Sequence, residues 1–219
     1  MGRWDTDYAI EILPALLDGL WITVKLTLSG MALALVLGLV VAVLRYLRIP
    51  VISRLLTFYV LFIRGTPLLI QAFFLYYVFP EFGLTLPTFT TGIIILGVNY
   101  SGYTAEVYRA GIEGLPKGQW EACTALSLPR WRSWTKIVLP QSIATVIPVL
   151  GNYLIQMFKD SAVLYAITVV ELLRTAYTIG QNDARYIEPL TIAGLLYLIV
   201  SYIASLGVKR LERRYAPTH

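Results

Sequence analysis

Arg64, Thr66, Asn99, Tyr103, Glu106, Lys159, Asp160 and Ser161 are charged or hydrogen-bonding residues set in otherwise apolar runs, and Glu121 to Gln141 is a polar, aromatic segment between two such runs. Their chemistry is recognition. A guanidinium grips a carboxylate, a carboxylate grips an ammonium, and amides or hydroxyls orient either one. Bond-making is not indicated, because no His, Cys or carboxylate cluster stands at metal or nucleophile spacing; no catalytic, cofactor or metal residue is assigned. There is no G-x-x-x-x-G-K-[ST] phosphate loop, the one histidine is the terminal His219, and the one cysteine, Cys123, has no partner for an internal disulfide.

The elements that must hold these residues belong in lipid. The chain is 57% hydrophobic and only 14% charged, with a mean hydropathy of +0.67, whereas soluble domains are roughly a quarter charged. Leu26 to Leu44, Phe82 to Ala105, Gln141 to Phe158 and Leu190 to Val208 are uncharged, and Leu55 to Val78 carries only Arg64. Each is near the roughly 20 residues that cross a hydrocarbon core as helix. They run apolar without alternation, which argues for helices and against a barrel. The expectation is an all-α membrane protein with five transmembrane helices, at about 20–44, 55–79, 84–108, 141–168 and 189–208, and an inner loop at about 113–140, all in one domain over 1–219. Arg45, Arg48 and Arg54, then Arg109, Lys117, Arg130, Arg132 and Lys136, then Lys209, Arg210, Arg213 and Arg214 mark alternate connections as cytoplasmic. The N-terminus then faces out and the C-terminus in. Residues 1–18, with Asp5, Asp7, Glu11 and Asp18 against Arg3, are the reverse of a cationic signal peptide and read as a short amphipathic lead-in. The net charge of +5 follows this topology, with anionic lipid as its counterpart and no nucleic-acid surface.

Within the spans, Arg64-Gly65-Thr66-Pro67 puts a charge, a flexible residue and a helix breaker together, so this element should face protein or water. Asn99, Tyr103 and Glu106 at i, i+4, i+7 share a helical face, turned either to a pathway or to neighbouring helices. Lys159-Asp160-Ser161 is either a self-neutralising pair at the outer interface or a contact for a transported solute. For a zwitterion, Arg64 would meet the carboxylate and Asp160 or Glu106 the amino group, with Asn99 and Ser161 orienting it; alternatively Arg64, Glu106 and Asp160 pair with one another. Gly30 and Gly38 stand where a neighbouring helix can come close. Glu171 to Pro189 reads as an outer amphipathic segment, helical to Gly180 and a loop beyond.

In the central loop, Pro129 ends a helix that starts near Gln119, and a second short helix from about Arg130 to Leu139 is closed by Pro140. Their corner presents Ala122, Ala125 and Leu126 amid Arg130 and Arg132, a surface suited to a groove on another protein. Trp120, Trp131 and Trp134 are interfacial anchors in a second reading.

Glu121-Ala122, Leu126 and Ile137-x-Leu139-Pro140 resemble the E-A-A-x3-G-x9-I-x-L-P loop of the membrane subunits of bacterial binding-protein-dependent ABC importers. Cys123 replaces the second alanine and Ser127 the glycine. A left-handed turn at serine costs on the order of 1 kcal/mol, so the corner is expected to be right-handed or less sharp. Arg64-Gly65-Thr66-Pro67-Leu68-Leu69, Tyr103-x-Ala105-Glu106-x-x-Arg109-Ala110-Gly111 and Lys159-Asp160-Ser161 resemble the polar amino-acid uptake branch. Leu126-Ser127-Leu128-Pro129 and Ala166 to Leu173 look most like permeases for ectoine and hydroxyectoine.

The resemblance implies the type I importer fold, with a second permease subunit (the same chain or a sister), two cytoplasmic ATPase subunits that bind the ATP and magnesium, and an extracytoplasmic solute-binding protein. The place is the cytoplasmic (inner) membrane, crossed several times. By the resemblance, Gln119, Glu121, Ala122, Cys123, Ala125, Leu126, Ser127, Arg130 and Pro140 couple to the ATPase; the eight residues named first are candidates for the solute path by their own chemistry. A stand-alone secondary transporter is the rival from another class; five spans make no even inverted repeat and charges within them are few. A membrane enzyme or scaffold is the third.

Overall fold

The computed structural model describes residues 4–215, which leaves Arg3 and His219 outside the described residues. Every regular element among them is helical. Helix α1, Thr6–Tyr46, starts where the Asp5 carboxylate accepts the N–H groups of Asp7 and Tyr8. It runs 41 residues without a break. The amphipathic lead-in is therefore the first turns of α1, which carries Pro14 inside it and continues without a break. Helix α2, Pro50–Gly65, and helix α3, Leu68–Phe73, meet at a bend of 105°. The stretch expected as one span is thus two helices, because Pro67 pushes Thr66 to an extended φ of −109° and the α2 ladder stops there. A π turn, Phe74–Val78, and a 3-10 turn, Phe79–Phe82, carry α3 to Gly83, whose φ of +79° closes the connection.

Helix α4 spans Thr88–Glu113 and α5 spans Lys117–Ala125. Short helix α6, Arg130–Arg132, passes through a π turn, Ser133–Val138, into α7, Leu139–Asp160. Pro140 does not close a helix, contrary to expectation. The Leu139 N–H reaches back five residues to Trp134, and this wider turn lets the proline ring into a continuous helical run. A 3-10 segment, Ser161–Ile167, then α8, Leu172–Asn182, and α9, Ile187–Tyr215, complete the chain. Helix α8 passes Gly180 by two residues, with Glu171 capping its start through the N–H groups of Leu173 and Arg174.

The core is a seam between α1 and α4. Thr23, Thr27, Gly30, Ala34 and Gly38 recur every three or four residues and are all buried. A Cβ on Gly30 would lie 3.0 Å from Leu96, and one on Gly38 would lie 2.0 Å from the Thr104 hydroxyl. Both glycines admit the neighbouring backbone, as their positions suggested. Thr104 donates to the Ala34 carbonyl at 2.8 Å across the seam. Leu26, Met31, Leu96, Tyr100, Met157 and Leu164 fill the space among α1, α4 and α7.

By length and apolarity, α1, the α6–α7 run through Ile167, and α9 are long enough to cross a membrane, and the bent α2–α3 pair makes a fourth if taken as one span. The outward faces are apolar: Leu28, Val36, Phe58, Leu61, Leu198 and Ile203 are exposed.

Candidate functional site

The bend between α2 and α3, Arg64 to Leu68, forms one side of a cavity of about 390 Å³ whose other lining residues are Asn99, Tyr100, Tyr103, Tyr153, Gln156 and Asp160. Those six come from two helix faces. On α4, Asn99, Tyr100 and Tyr103 lie within four residues; on α7, Tyr153, Gln156 and Asp160 fall at i, i+3, i+7. The Arg64 guanidinium lies 5.3 Å from the Tyr103 ring centre and is exposed to the opening. Asp160 accepts from the Tyr100 hydroxyl at 2.6 Å and from the Gln156 amide at 2.9 Å. Gln71 braces the bend, donating to the Ile63 carbonyl at 2.8 Å and the Thr66 hydroxyl at 2.7 Å while accepting from Asn99 at 3.1 Å. The cavity thus has a cationic wall and an anionic wall joined by tyrosines, a surface with one partner for each end of a zwitterion.

Of the eight path residues inferred from sequence, Arg64, Thr66, Asn99, Tyr103 and Asp160 meet here. Glu106 does not. It is held by Arg45 at 2.5 Å and by Arg109 at 2.6 Å, at the ends of α1 and α4, because one further turn of α4 carries it past the cavity. Ser161 is fully buried and donates to the Phe158 carbonyl, capping its own helix. Lys159 is exposed and lines no part of the cavity. No ion pair among the described residues joins Lys159 to Asp160, nor Arg64, Glu106 and Asp160 to one another. In this structure Asp160 is satisfied by the tyrosine and the glutamine, and Glu106 by its two arginines. Sequence reasoning missed Tyr100, Tyr153, Gln156 and Gln71. The i, i+3, i+7 run of polar residues ending at Asp160 was the available signal for two of them.

The second site is the corner between α5 and α6. Glu121, Ala122, Thr124, Ala125 and Ser127 are exposed, and Leu126 is 70% exposed, although it is a large apolar side chain. Cys123 faces inward and is buried. Gln119 is half-buried and accepts from the Gln141 amide at 3.3 Å, which ties α5 to the start of α7, beside Pro140. Arg130 is exposed one residue beyond Pro129. The expected right-handed corner is not what forms. Ser127 has φ +49°, the Leu128 N–H bonds to the Cys123 carbonyl at 3.0 Å, and the Ser127 N–H bonds to Thr124 at 2.9 Å. This is the glycine-type helix ending with serine in the left-handed position. Satisfied carbonyls at the end of α5 offset the conformational cost.

Comparison with known proteins places the chain as a whole. The family described as "Binding-protein-dependent transport system inner membrane component" matches residues 34–217. A probable amino-acid ABC transporter permease protein, y4tG of Sinorhizobium fredii, is 46% identical over 95% of this chain and 93% of its own length. The arginine transport system permease protein ArtQ of Bacillus subtilis is 33% identical over 96% of each. A crystal structure of an amino acid ABC transporter with histidines superimposes with a TM-score of 0.93 at 33% identity, over 97% of this chain and 100% of that one. The overall helical architecture is therefore shared with that structure, and the chain belongs to the family of inner-membrane components of binding-protein-dependent transport systems.

Proposed function

We propose that this chain is the permease subunit of an ABC importer that carries a polar amino acid, or a related zwitterion, across the cytoplasmic membrane. The observation that carries the reading is the cavity at the α2–α3 bend, whose lining includes both Arg64, against Tyr103, and Asp160, bonded to Tyr100. Its residues suit an α-carboxylate at Arg64 and an ammonium at Asp160. The chain supplies the path and no catalysis; a partner ATPase hydrolyses the ATP.

The coupling part of the reading rests on the α5 corner. An exposed leucine beside alanines, ringed by arginine, is the kind of surface that a groove on another protein covers. Helices α4 and α7 leave that corner on either side, so closure of two docked ATPases would pull both rods without a flexible linker. An extracytoplasmic binding protein would deliver solute at the other end, and a second permease copy or sister would complete the path.

Five crossings are part of the same proposal: α1, the α2–α3 pair, α4, the α6–α7 run and α9. Helix α4 has 26 residues and reaches about 39 Å, more than the hydrocarbon core of about 30 Å; its modest apolarity reflects the polar face it turns to the cavity. Two clusters support the outside N-terminus. Asp5, at the start of α1, bonds with Glu188 and Arg185 at the start of α9, while Arg45, at the end of α1, bonds Glu106 near the end of α4. The arginine-rich ends then share one side.

The test is ATP hydrolysis by the reconstituted importer, with its ATPase and binding protein, against a panel of L-amino acids plus ectoine and hydroxyectoine. Stimulation several-fold above the basal rate by one amino acid class supports the reading. Stimulation by none of the panel overturns it.

A further inference from the structure

The last two residues of α1 point at two different neighbours. Arg45 reaches Glu106 on α4, and Glu106 is held on its other side by Arg109, which also pairs with Glu113. Tyr46 meets the edge of Trp134 at 5.3 Å between ring centres, with the planes at 85°. Trp134 in turn meets Trp120 of α5 at 5.6 Å and 70°. Edge-to-face packing of this kind fixes relative orientation as well as distance, since the ring edge is positive and the face negative. The three rings come from three elements with large separations in sequence: the end of α1, the α5 helix, and the π turn before α7.

The same rings wall a cavity of about 650 Å³ with Cys123, Ser127, Leu128 and Arg130. Around that space, α5 is otherwise lightly supported, with most of its side chains exposed. A motor pulling on Ala122, Ala125 and Leu126 would act on a helix that the chain joins to α4 on one side and, through α6 and the π turn, to α7 on the other, and α1 is not covalently adjacent to it. Yet α1 packs against α4 from Leu26 at Gly92 to Arg45 at Glu106, and must move with it if the cavity at the bend is to change shape. The aromatic contact closes that gap.

We propose that Tyr46, Trp134 and Trp120 form a strut that joins the coupling corner to the inner end of α1, so that α1, α4 and the corner move as one piece during the transport cycle. This rests on the docking role given to the corner above. The three aromatics are positioning residues: they touch neither solute nor nucleotide, and they act through the corner. The Arg45–Glu106 pair is the second attachment, holding the α1 end to α4 so that the strut pushes on both helices. Trp134 stands in the π turn itself, its carbonyl accepting the Leu139 N–H, so the ring is anchored where the corner joins α7.

The test uses the assembled importer in a Cys123→Ser background, with spin-label pairs read without nucleotide and with a trapped ATP analogue. One pair, at Leu47 and Thr124, spans the strut; the other, at Thr124 and Asn182, reports the stroke of the corner relative to the outer end. All three labelled sites are exposed. In the parent the first distance stays fixed between the two states while the second shifts. In Trp134→Ala and in Tyr46→Ala the first distance becomes nucleotide-dependent by several ångströms, and Trp134→Phe restores the fixed value with an aromatic edge alone. A first distance that stays fixed in both alanine variants, with the second still shifting, overturns the strut and leaves docking intact. A second distance that never responds to nucleotide, together with normal ATPase copurification by Glu121→Lys, overturns docking and the strut with it.

Discussion

Ser127 and Asp160 show how much a single residue decides here. A serine at φ +49° is held by two backbone hydrogen bonds that end α5, and left-handed backbone costs an L-residue about 1 kcal/mol more than glycine. Ser127→Gly is therefore expected to keep uptake at or above the parent rate. Ser127→Val, with a β-branch where φ is positive, should destabilise the corner by about 2 kcal/mol and lower ATPase copurification by tenfold or more. Asp160 is a different case, since its carboxylate is held by Tyr100 and Gln156 in the lining of a cavity that Arg64 also lines. Asp160→Asn and Arg64→Gln should each weaken solute-stimulated ATP hydrolysis by at least tenfold, a loss of about 1.4 kcal/mol or more, while pull-down of the ATPase stays at the parent level. Loss of assembly in parallel would assign these residues to structure.

Between elements, the α1–α4 seam is the most closely packed contact and the easiest to break. The Thr104 hydroxyl occupies the space where a Gly38 side chain would stand, and it is committed to the Ala34 carbonyl. Gly38→Ala is expected to lower the stability of the detergent-solubilised protein by about 1–3 kcal/mol, the usual range for overpacking, read as a lower thermal midpoint. Gly194→Ala on α9, where nothing lies within 4 Å, should leave the midpoint unchanged or raise it, because alanine is the better helix former. The small-residue spacing on α1 was legible in sequence. Its partner Thr104 was not, because a threonine inside an apolar run gives no sign of which carbonyl it will bond across a helix pair.

For the molecule as a whole, the end that carries Asp5 is held by contacts between the start of α1 and the start of α9. Asp5 caps α1 and bonds to Arg185, and its backbone N–H donates to Glu188 at 3.1 Å. The Tyr8 N–H, with the Arg185 guanidinium adding to it, holds the Asp5 carboxyl below its ordinary value of 3.8. A lowered acid contributes stability above its unfolded value and loses it as pH falls through the folded one. The gap in thermal midpoint between the parent and Asp5→Ala should thus be constant from neutral pH down to about 4 and close below it. A gap that stays constant on further acidification would mean that the charge on Asp5 plays no part.

The sequence by itself determined the class, the apolar elements, the polar loop and the family, because lipid admits few backbone arrangements and because E-A-A-type spacing sits within one continuous stretch of chain. It also named five of the cavity residues, since helical periodicity collects them without knowledge of neighbours. It could not place Glu106, which the periodic pattern put beside Asn99 and Tyr103 but which Arg45 claims from another helix. Nor could it foresee that Pro140 would be absorbed by a π turn, or that Tyr46 would meet Trp134 across 88 positions of chain. Those outcomes depend on which helix faces meet and at what depth, and only the tertiary packing sets that.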